Sequence, residues 1–216
     1  MDFNFANKKH YIFDLDGTLI DSNSLHERAF LSALENEDIE FRYNNFYGVK
    51  TLDVFLSLGF GLKESKELTA KKQLTYREYI KNGEVKEFSC VTSMLNALIG
   101  NKVKVYLCTG ASRKSVDKII ANMGWSNIFE DTICGDEVST SKPDPLILNT
   151  LLSRNSVSKE EALYIEDSDK GLATGKNSNV DTILVNNKLP GAVFCFNSFP
   201  EFYNFYQGSM NIKGVA

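Results

Sequence analysis

The stretch Tyr11-Ile12-Phe13-Asp14-Leu15-Asp16-Gly17-Thr18-Leu19 decides the fold that we expect for this chain of 216 residues. Its first three residues are aromatic or β-branched, as in a short strand that is buried on both faces of a sheet. Two carboxylates follow directly, which is a polar ending for a buried strand. Because ligands of open α/β sheets bind at the carboxyl ends of the strands, the stretch predicts a central strand that leads into a site.

Four more short apolar runs predict strands that are buried in the same way. They fall at residues 103–108, 132–134, 162–165 and 182–185. Helical patterns precede and separate these runs, at 92–99, 112–123, 144–152 and 170–178. This alternation predicts right-handed crossovers and an α/β fold, a doubly wound, Rossmann-like parallel sheet with helices on both faces.

The region between the first strand and residue 92 breaks the alternation, because its patterns are helical throughout. The predicted helices fall at 24–35, 51–58 and 63–81. A helical insert of this size is large enough to form a small domain of its own. Near the other end of the chain, we expect an aromatic run over residues 194–206 to pack against the sheet.

Composition argues against several classes of function. The chain has 24 Lys and Arg against 28 Asp and Glu, a net charge of −4, so we expect no nucleic-acid partner. No stretch approaches the roughly 20 apolar residues of a membrane span, and the first ten residues lack the apolar run of a signal peptide. The four cysteines are far apart and form no CxxC pair, which predicts free thiols in a cytoplasmic protein.

Polar residues collect after four of the predicted strands. These residues are Asp14 and Asp16, Thr109-Gly110, Lys142, and Glu166-Asp167. The carboxyl ends of parallel strands meet at one edge of a sheet, so we expect these side chains to lie together. Crowded carboxylates repel one another unless a cation is present, and oxygen ligands in this number suit Mg²⁺. With a lysine for phosphate and an aspartate as a possible nucleophile, the set predicts phosphoryl transfer.

The same residues resemble the four signatures of the haloacid dehalogenase superfamily, in the usual order. The stretch Asp14-Leu15-Asp16-Gly17-Thr18-Leu19 is similar to the first signature, and Thr109, Lys142 and Glu166-Asp167 are similar to the others. The insert resembles the helical cap of subfamily I, which holds phosphoglycolate phosphatase, sugar phosphatases and β-phosphoglucomutase.

The resemblance implies both a domain division and an activity. The α/β core domain would comprise residues 1–20 and 89–216, and the cap domain residues 21–88. The implied enzyme is a Mg²⁺-dependent phosphatase, a hydrolase that acts through an aspartyl-phosphate on a small phosphorylated metabolite such as a sugar phosphate. We expect a monomer or a homodimer, with no membrane partner.

The resemblance also implies a role for each matched residue. Asp14 attacks phosphorus, and Asp16 serves first as general acid and then as general base. Thr109, Gly110 and Lys142 bind the transferring phosphoryl group. The implied ligands of the metal are Asp14, Asp16 through its carbonyl group, Glu166 and Asp167.

Three cations outside these signatures are further candidates for substrate binding, namely His26, Lys72 and Arg113. His26 and Lys72 align with cap residues of β-phosphoglucomutase. The alternatives are a structural histidine and a lysine on a solvated helix face. Asp21 and Ser22 are interpreted as residues that begin a helix, with a side chain capping its first turn; the alternative is that they form a hinge.

Two other functions compete with the phosphatase. A phosphomutase would use the same aspartyl-phosphate, but the stretch after Gly48 lacks the arginine with which β-phosphoglucomutase binds a distal phosphate, and Lys50 is the nearest cation. The second alternative is a non-catalytic phospho-ligand-binding or receiver-like signalling protein. Receiver domains accept phosphate on their third strand and have no helical insert after the first, so this alternative fits the pattern less well.

Overall fold

The computed structural model describes residues 5–211. Within them lie eight strands: β1 (His10–Phe13), β2 (Ile20–Asp21), β3 (Lys86–Glu87), β4 (Lys104–Cys108), β5 (Asp131–Ile133), β6 (Ala162–Glu166), β7 (Thr182–Val185) and β8 (Phe194–Phe196). Six of them form one sheet in the order β5-β4-β1-β6-β7-β8, and every neighbouring pair in it is parallel. The predicted parallel α/β sheet is therefore confirmed.

The described residues also form eight α-helices. They are α1 (Asn23–Ala33), α2 (Thr51–Ser57), α3 (Leu62–Lys81), α4 (Val91–Gly100), α5 (Arg113–Met123), α6 (Leu146–Arg154), α7 (Asp169–Asn177) and α8 (Phe199–Asn211). Apolar residues of α4, α5 and α8 pack on one face of the sheet with Tyr11 and Phe13. Those of α6 pack on the other face with Ile12. Alternate residues of β1 thus face opposite layers, as a doubly wound fold requires.

The central position of β1 determines where the site can form. Phe13, its last residue, lies opposite Leu107 of β4 and Ile165 of β6. The residues that follow these three strands therefore emerge side by side at the carboxyl edge of the sheet.

The insert is joined to the sheet by a two-stranded antiparallel ribbon in which Ile20 pairs with Glu87 and Asp21 with Lys86. Helices α1, α2 and α3 contribute to a hydrophobic cluster within the insert, around Phe30 and Phe55. Other residues of α1 and α3, including Leu25 and Tyr76, belong to the larger cluster of the sheet. The division into residues 1–20 with 89–216 and residues 21–88 stays a prediction.

Two details near the end of the sheet were not evident from sequence. The aromatic run does pack on the sheet, but as a sixth strand, β8, followed by α8, with Phe199 and Phe202 fully buried. Gly175 of α7 faces β7 so closely that a Cβ atom would lie 1.9 Å from the Thr182 hydroxyl oxygen. A glycine at this position therefore permits the helix to approach the strand. Among residues 5–211, no helix has the length and apolar character needed to cross a membrane.

Candidate active site

The carboxyl edge of the sheet brings together the residues that the sequence assigns to phosphoryl transfer. The backbone N–H of Asp14 donates to the carbonyl of Ile165, and that of Thr109 donates to the carbonyl of Ile133. Both residues thus continue the hydrogen-bonding pattern of the strands and have little freedom. Asp14, Thr109, Lys142, Glu166 and Asp167 are all buried.

Lys142 lies between two carboxylates. Its Nζ atom is 2.6 Å from Asp14 Oδ1 and 2.5 Å from Glu166 Oε1, and it also donates to the carbonyl of Cys108 at 3.3 Å. Burial disfavours the ammonium charge, but Asp14 and Glu166 outweigh it and raise the pKa of Lys142 above its usual value. The side chain is therefore a permanent cation beside Asp14.

Glu166 is fixed by donors on both of its oxygens. Oε1 accepts from Lys142 and, at 2.7 Å, from the Tyr164 hydroxyl; Oε2 accepts from the Ser168 hydroxyl at 3.0 Å and the Asp167 N–H at 3.1 Å. A Cβ atom on Gly171 would lie only 1.8 Å from the carboxyl carbon of Glu166. Any larger residue in place of Gly171 would therefore displace the Glu166 carboxylate.

Three of the predicted metal ligands form a cluster that fits a divalent cation. One carboxylate oxygen from each of Asp14, Glu166 and Asp167 lies within 4.8 Å of the other two. Burial and the repulsion of Glu166 raise the pKa values of both Asp14 and Asp167, although Lys142 opposes the shift. Three carboxylates and one lysine leave a charge of −2, which a divalent ion would balance. An all-oxygen donor set of this kind suits Mg²⁺.

Asp16 makes a different set of contacts, all with the insert or its base. Its Oδ1 atom accepts from the Ser22 hydroxyl at 2.5 Å, from His26 Nε2 at 2.9 Å and from the Tyr76 hydroxyl at 3.2 Å. Burial opposes ionisation of Asp16, but His26, Ser22 and the charge of Lys72 lower its pKa to about 2. These contacts therefore favour the ionised form of the Asp16 side chain.

His26 connects Asp16 to a buried lysine. The Nζ atom of Lys72 is 2.6 Å from His26 Nδ1 and lies over the rings of Phe30 and Tyr76, at 4.6 and 5.0 Å from their centroids. Burial lowers the pKa of Lys72 to about 7, and burial and Lys72 together lower that of His26. The interpretation of Lys72 as a lysine on a solvated helix face is wrong.

A small cavity of about 30 Å³ lies where the insert meets the edge of the sheet. The predicted residues that line it are Asp14, Asp16, His26, Lys72, Thr109, Gly110 and Asp167. The Thr109 hydroxyl accepts from the N–H of Ala111 at 3.1 Å, which orients it at the start of the loop. The structure thus gathers core and insert residues around one space.

Two other cations lie apart from this cavity: Arg113, which was predicted to bind substrate, and Lys50, the nearest cation to Gly48 in sequence. Arg113 donates from Nε to Glu137 at 2.6 Å and from its guanidinium to the carbonyl of Thr132 at 2.7 Å, so the structure does not bring it to the substrate space. Lys50 donates from Nζ to the carbonyl of Val138 at 2.5 Å and lies outside the cavity lining. Sequence cannot reveal either arrangement, because both partners are distant in the chain.

Three residues that hold the site together were not predicted from sequence. Ser22 precedes α1 as expected, but its hydroxyl donates to Asp16 and makes no capping hydrogen bond. Tyr164 donates to Glu166 and Tyr76 donates to Asp16. Neither tyrosine belongs to a sequence motif, so the sequence did not indicate that either lies at the site. Their positions were informative in retrospect, since Tyr164 is two residues from Glu166 on a strand and Tyr76 is four residues from Lys72 on a helix.

The fold and the edge cluster define an α/β protein with a buried group of three carboxylates and one lysine at the carboxyl edge of its sheet. The sequence model of the haloacid dehalogenase-like hydrolase family matches residues 11–185 of this chain, and the chain therefore belongs to this family. It is 25% identical over 178 residues to a phosphorylated carbohydrates phosphatase of Thermotoga maritima, covering 80% of this chain and 82% of that protein.

Two further similarities extend this comparison. The chain is 30% identical over 182 residues to the pyrophosphatase PpaX of Listeria innocua, covering 79% of this chain and 80% of that protein. Its fold resembles a solved β-phosphoglucomutase of Clostridium difficile with a TM-score of 0.84 and 20% identity, over 97% of this chain and all of that one. This last likeness concerns the fold.

Proposed function

We propose that the chain is a Mg²⁺-dependent phosphatase that hydrolyses a small phosphate monoester through a covalent phosphoryl group on Asp14. The observation that carries this proposal is the buried arrangement of Asp14, Lys142, Glu166 and Asp167 beside the separate carboxylate of Asp16. Membership of the hydrolase family and the phosphatase names of relatives support it.

The acidic cluster has the composition of a magnesium site. Asp14, Glu166 and Asp167 would hold the ion with their carboxylates, together with the main-chain carbonyl of Asp16. When bound, Mg²⁺ supplies positive charge that stabilises the charge developing on the phosphoryl oxygens.

Asp14 is the nucleophile in this mechanism. Its carboxylate attacks phosphorus, and the bond between phosphorus and the ester oxygen breaks. Lys142, 2.6 Å away, then neutralises the negative charge of the transferred group. Water subsequently attacks the same phosphorus, the bond to Asp14 breaks, and inorganic phosphate and the free carboxylate are regenerated.

Asp16 moves the protons of both steps. An ionised Asp16, the form that its contacts favour, is ready to accept the proton of the attacking water. For the first step it has to carry a proton to the leaving oxygen. His26, whose Nε2 atom lies 2.9 Å from Asp16 Oδ1, can donate that proton to Asp16. Alternatively, a protonated substrate supplies it.

The cavity gives no support to the phosphomutase alternative. A mutase must hold a second phosphate, and a bidentate arginine is well suited to that task. Among the described residues that line the cavity there is no arginine; its cation is Lys72, which contacts His26. We therefore assign hydrolysis to the site.

The variant Asp14→Asn tests this function. It removes the attacking anion and a charged ligand of the cation while retaining the shape, so phosphate release from acetyl phosphate should fall at least about 10³-fold. Asp38→Asn, an exposed aspartate of the insert, is the matched control and should keep full activity. Retention of a tenth of the activity by Asp14→Asn, or hydrolysis that survives EDTA, would contradict the proposal.

A further inference from the structure

Two asparagine side chains reach the active site from the segment that follows β7. Asn186 and Asn187 come directly after the last residue of β7, at the same edge of the sheet as the acidic cluster. The amide nitrogen of Asn186 donates to the carbonyl of Gly17 at 2.8 Å. The amide nitrogen of Asn187 donates to the carbonyl of Asp167 at 2.7 Å. The two side chains therefore contact the loop after β1 and the loop after β6, both of which would supply ligands for the cation.

The oxygens of the same two amides also have partners. Asn186 Oδ1 accepts from the N–H of Phe199, the first residue of α8, at 3.0 Å. Asn187 Oδ1 accepts from the N–H of Lys188 at 2.8 Å. Because the nitrogen and the oxygen of each amide are both bonded, neither side chain can rotate without losing two hydrogen bonds. Asn186 also has a φ of 59°, in the left-handed region that asparagine adopts more readily than most residues.

The contact of Asn186 with Gly17 bears on the main-chain carbonyl of Asp16. That carbonyl shares one planar peptide group with the N–H of Gly17, which donates to the carbonyl of Ile20 at 2.9 Å. Asn186 holds the next peptide group through the carbonyl of Gly17. The peptide groups on both sides of this flexible residue are thus fixed, and with them the direction of the Asp16 carbonyl.

The contact of Asn187 with Asp167 has a similar effect on a second metal ligand. The N–H of Asp167 donates to Glu166 Oε2 at 3.1 Å, and its carbonyl accepts from Asn187. The Asp167 carboxylate accepts from the Thr18 hydroxyl at 3.3 Å. The backbone and the side chain of Asp167 are therefore both held. Such fixation matters because Mg²⁺ requires a nearly ideal octahedral arrangement of its ligands.

We propose that Asn186 and Asn187 are positioning residues of the magnesium site, which hold the Asp16 carbonyl and the Asp167 carboxylate in place for one ion. Neither asparagine lines the catalytic cavity, so neither is assigned a contact with substrate. Groups that orient metal ligands in this way typically contribute 10–100-fold to metal affinity. This inference rests on the magnesium site of the proposed function.

Calorimetric titration with Mg²⁺ alone tests the inference, because it needs neither substrate nor turnover. Asn186→Gly removes one amide and places at this position the residue that adopts a positive φ most easily. Asn187→Ala removes the other amide. We expect the Kd for Mg²⁺ to rise about tenfold in each variant. The Mg²⁺ concentration that gives half-maximal hydrolysis of acetyl phosphate should rise by the same factor, with kcat at saturating Mg²⁺ within about threefold of the wild type.

Asn179→Gly is the matched control for the change at residue 186. Asn179 also has a left-handed backbone, with a φ of 55°, but its side chain is exposed just after the end of α7. Its Kd for Mg²⁺ should equal that of the wild type. Asn187→Ala retains Asn186 and its hydrogen bond to the start of α8, so it tests the inference even if Asn186→Gly does not fold.

The outcomes separate this inference from the function on which it rests. A merely structural role would lower the Tm of the variants and leave the Kd for Mg²⁺ unchanged, which would overturn the inference. An equal rise of the Kd in Asn179→Gly would overturn it as well, because the effect would then not depend on contact with the two loops. Failure of the wild-type protein to bind Mg²⁺ refutes the magnesium site itself, and the inference falls with it.

Discussion

Replacing Asp16 by asparagine separates its role in proton transfer from its role in packing. One oxygen of Asp16 accepts all three hydrogen bonds, from Ser22, His26 and Tyr76. The amide oxygen of an asparagine can accept the same three. The substitution therefore keeps the shape of the site while it removes the negative charge and the proton that the mechanism needs.

The structure yields two magnitudes for Asp16→Asn. The pKa of Asp16 falls from 3.8 to about 2, which corresponds to about 2 kcal/mol in favour of the ionised, folded form. This stabilisation is fully present above pH 3.8 and is lost as the pH falls through about 2. At pH 7 the variant lacks it, so its Tm should be lower by about 4–8 °C. Loss of the general acid should slow the first chemical step by about 10²–10⁴-fold for an alkyl ester.

The assay compares two leaving groups in rapid-mixing experiments with Mg²⁺. p-Nitrophenolate leaves without a proton, whereas the alkoxide of an alkyl phosphate does not. The initial burst of nitrophenolate reports the first step alone, so it should persist in Asp16→Asn at a rate within about tenfold of the wild type. The burst of alcohol from the alkyl ester should be lost, and the hydrolysis of the phosphorylated enzyme should slow for both substrates.

Asp21→Asn provides the control, because Asp21 lies on the exposed side of β2 in the connection to the insert. It should change neither the burst nor the Tm. Equal losses of the first step for the two esters would remove Asp16 from the acid role. An unchanged Tm in Asp16→Asn would contradict the stabilisation of the Asp16 charge that its lowered pKa implies.

Three further predictions address the cation site, the buried lysine and the fate of the phosphoryl group. Gly171→Ala should displace the carboxylate of Glu166, which a Cβ atom would approach to 1.8 Å, and weaken Mg²⁺ binding about 10–100-fold by calorimetry; Gly100→Ala, with open space around it, should not. The pKa of Lys72 is about 7 in the folded protein and 10.5 in the unfolded chain, so the unfolding free energy of the wild type should rise by about 2 kcal/mol relative to that of Lys72→Met between pH 7 and 9. Urea denaturation measures both free energies, and an equal dependence on pH in the two proteins would contradict this prediction. In a phosphorus NMR experiment with Mg²⁺, glucose 1-phosphate and a catalytic amount of glucose 1,6-bisphosphate, we expect no glucose 6-phosphate; its rapid formation would show a mutase.

Sequence patterns predicted most of the sheet because strands buried on both faces are continuous apolar runs. All five strands predicted from such runs are present, within one or two residues at each end. The strand β8 escaped notice for a physical reason. It has three residues at the edge of the sheet, and the aromatic residues around it recur at spacings that suit a helix as well as a strand.

The acidic site was predictable from sequence for a similar reason. Asp14 and Glu166 follow or end buried parallel strands, so topology alone brings them to one edge. The partners of cations are harder to foresee. Arg113 pairs with Glu137, 24 residues away, and the contact exists only because the start of α5 meets the segment after β5 in the folded chain. A pattern can show that a side chain is charged, but it cannot show whether another group in the protein already uses that charge.

The two aspartates of the first loop owe their different chemistry to different parts of the molecule. Lys142, the partner of Asp14, lies in the core, and burial there raises the pKa of Asp14. The partners of Asp16 lie in the insert or at its base, and they lower its pKa to about 2. Gly17 allows the loop between these environments to turn, since its φ is +83° and a Cβ atom there would lie 2.1 Å from Asp167. A displacement of the insert would therefore alter the proton affinity of Asp16 and leave the contact between Asp14 and Lys142 intact.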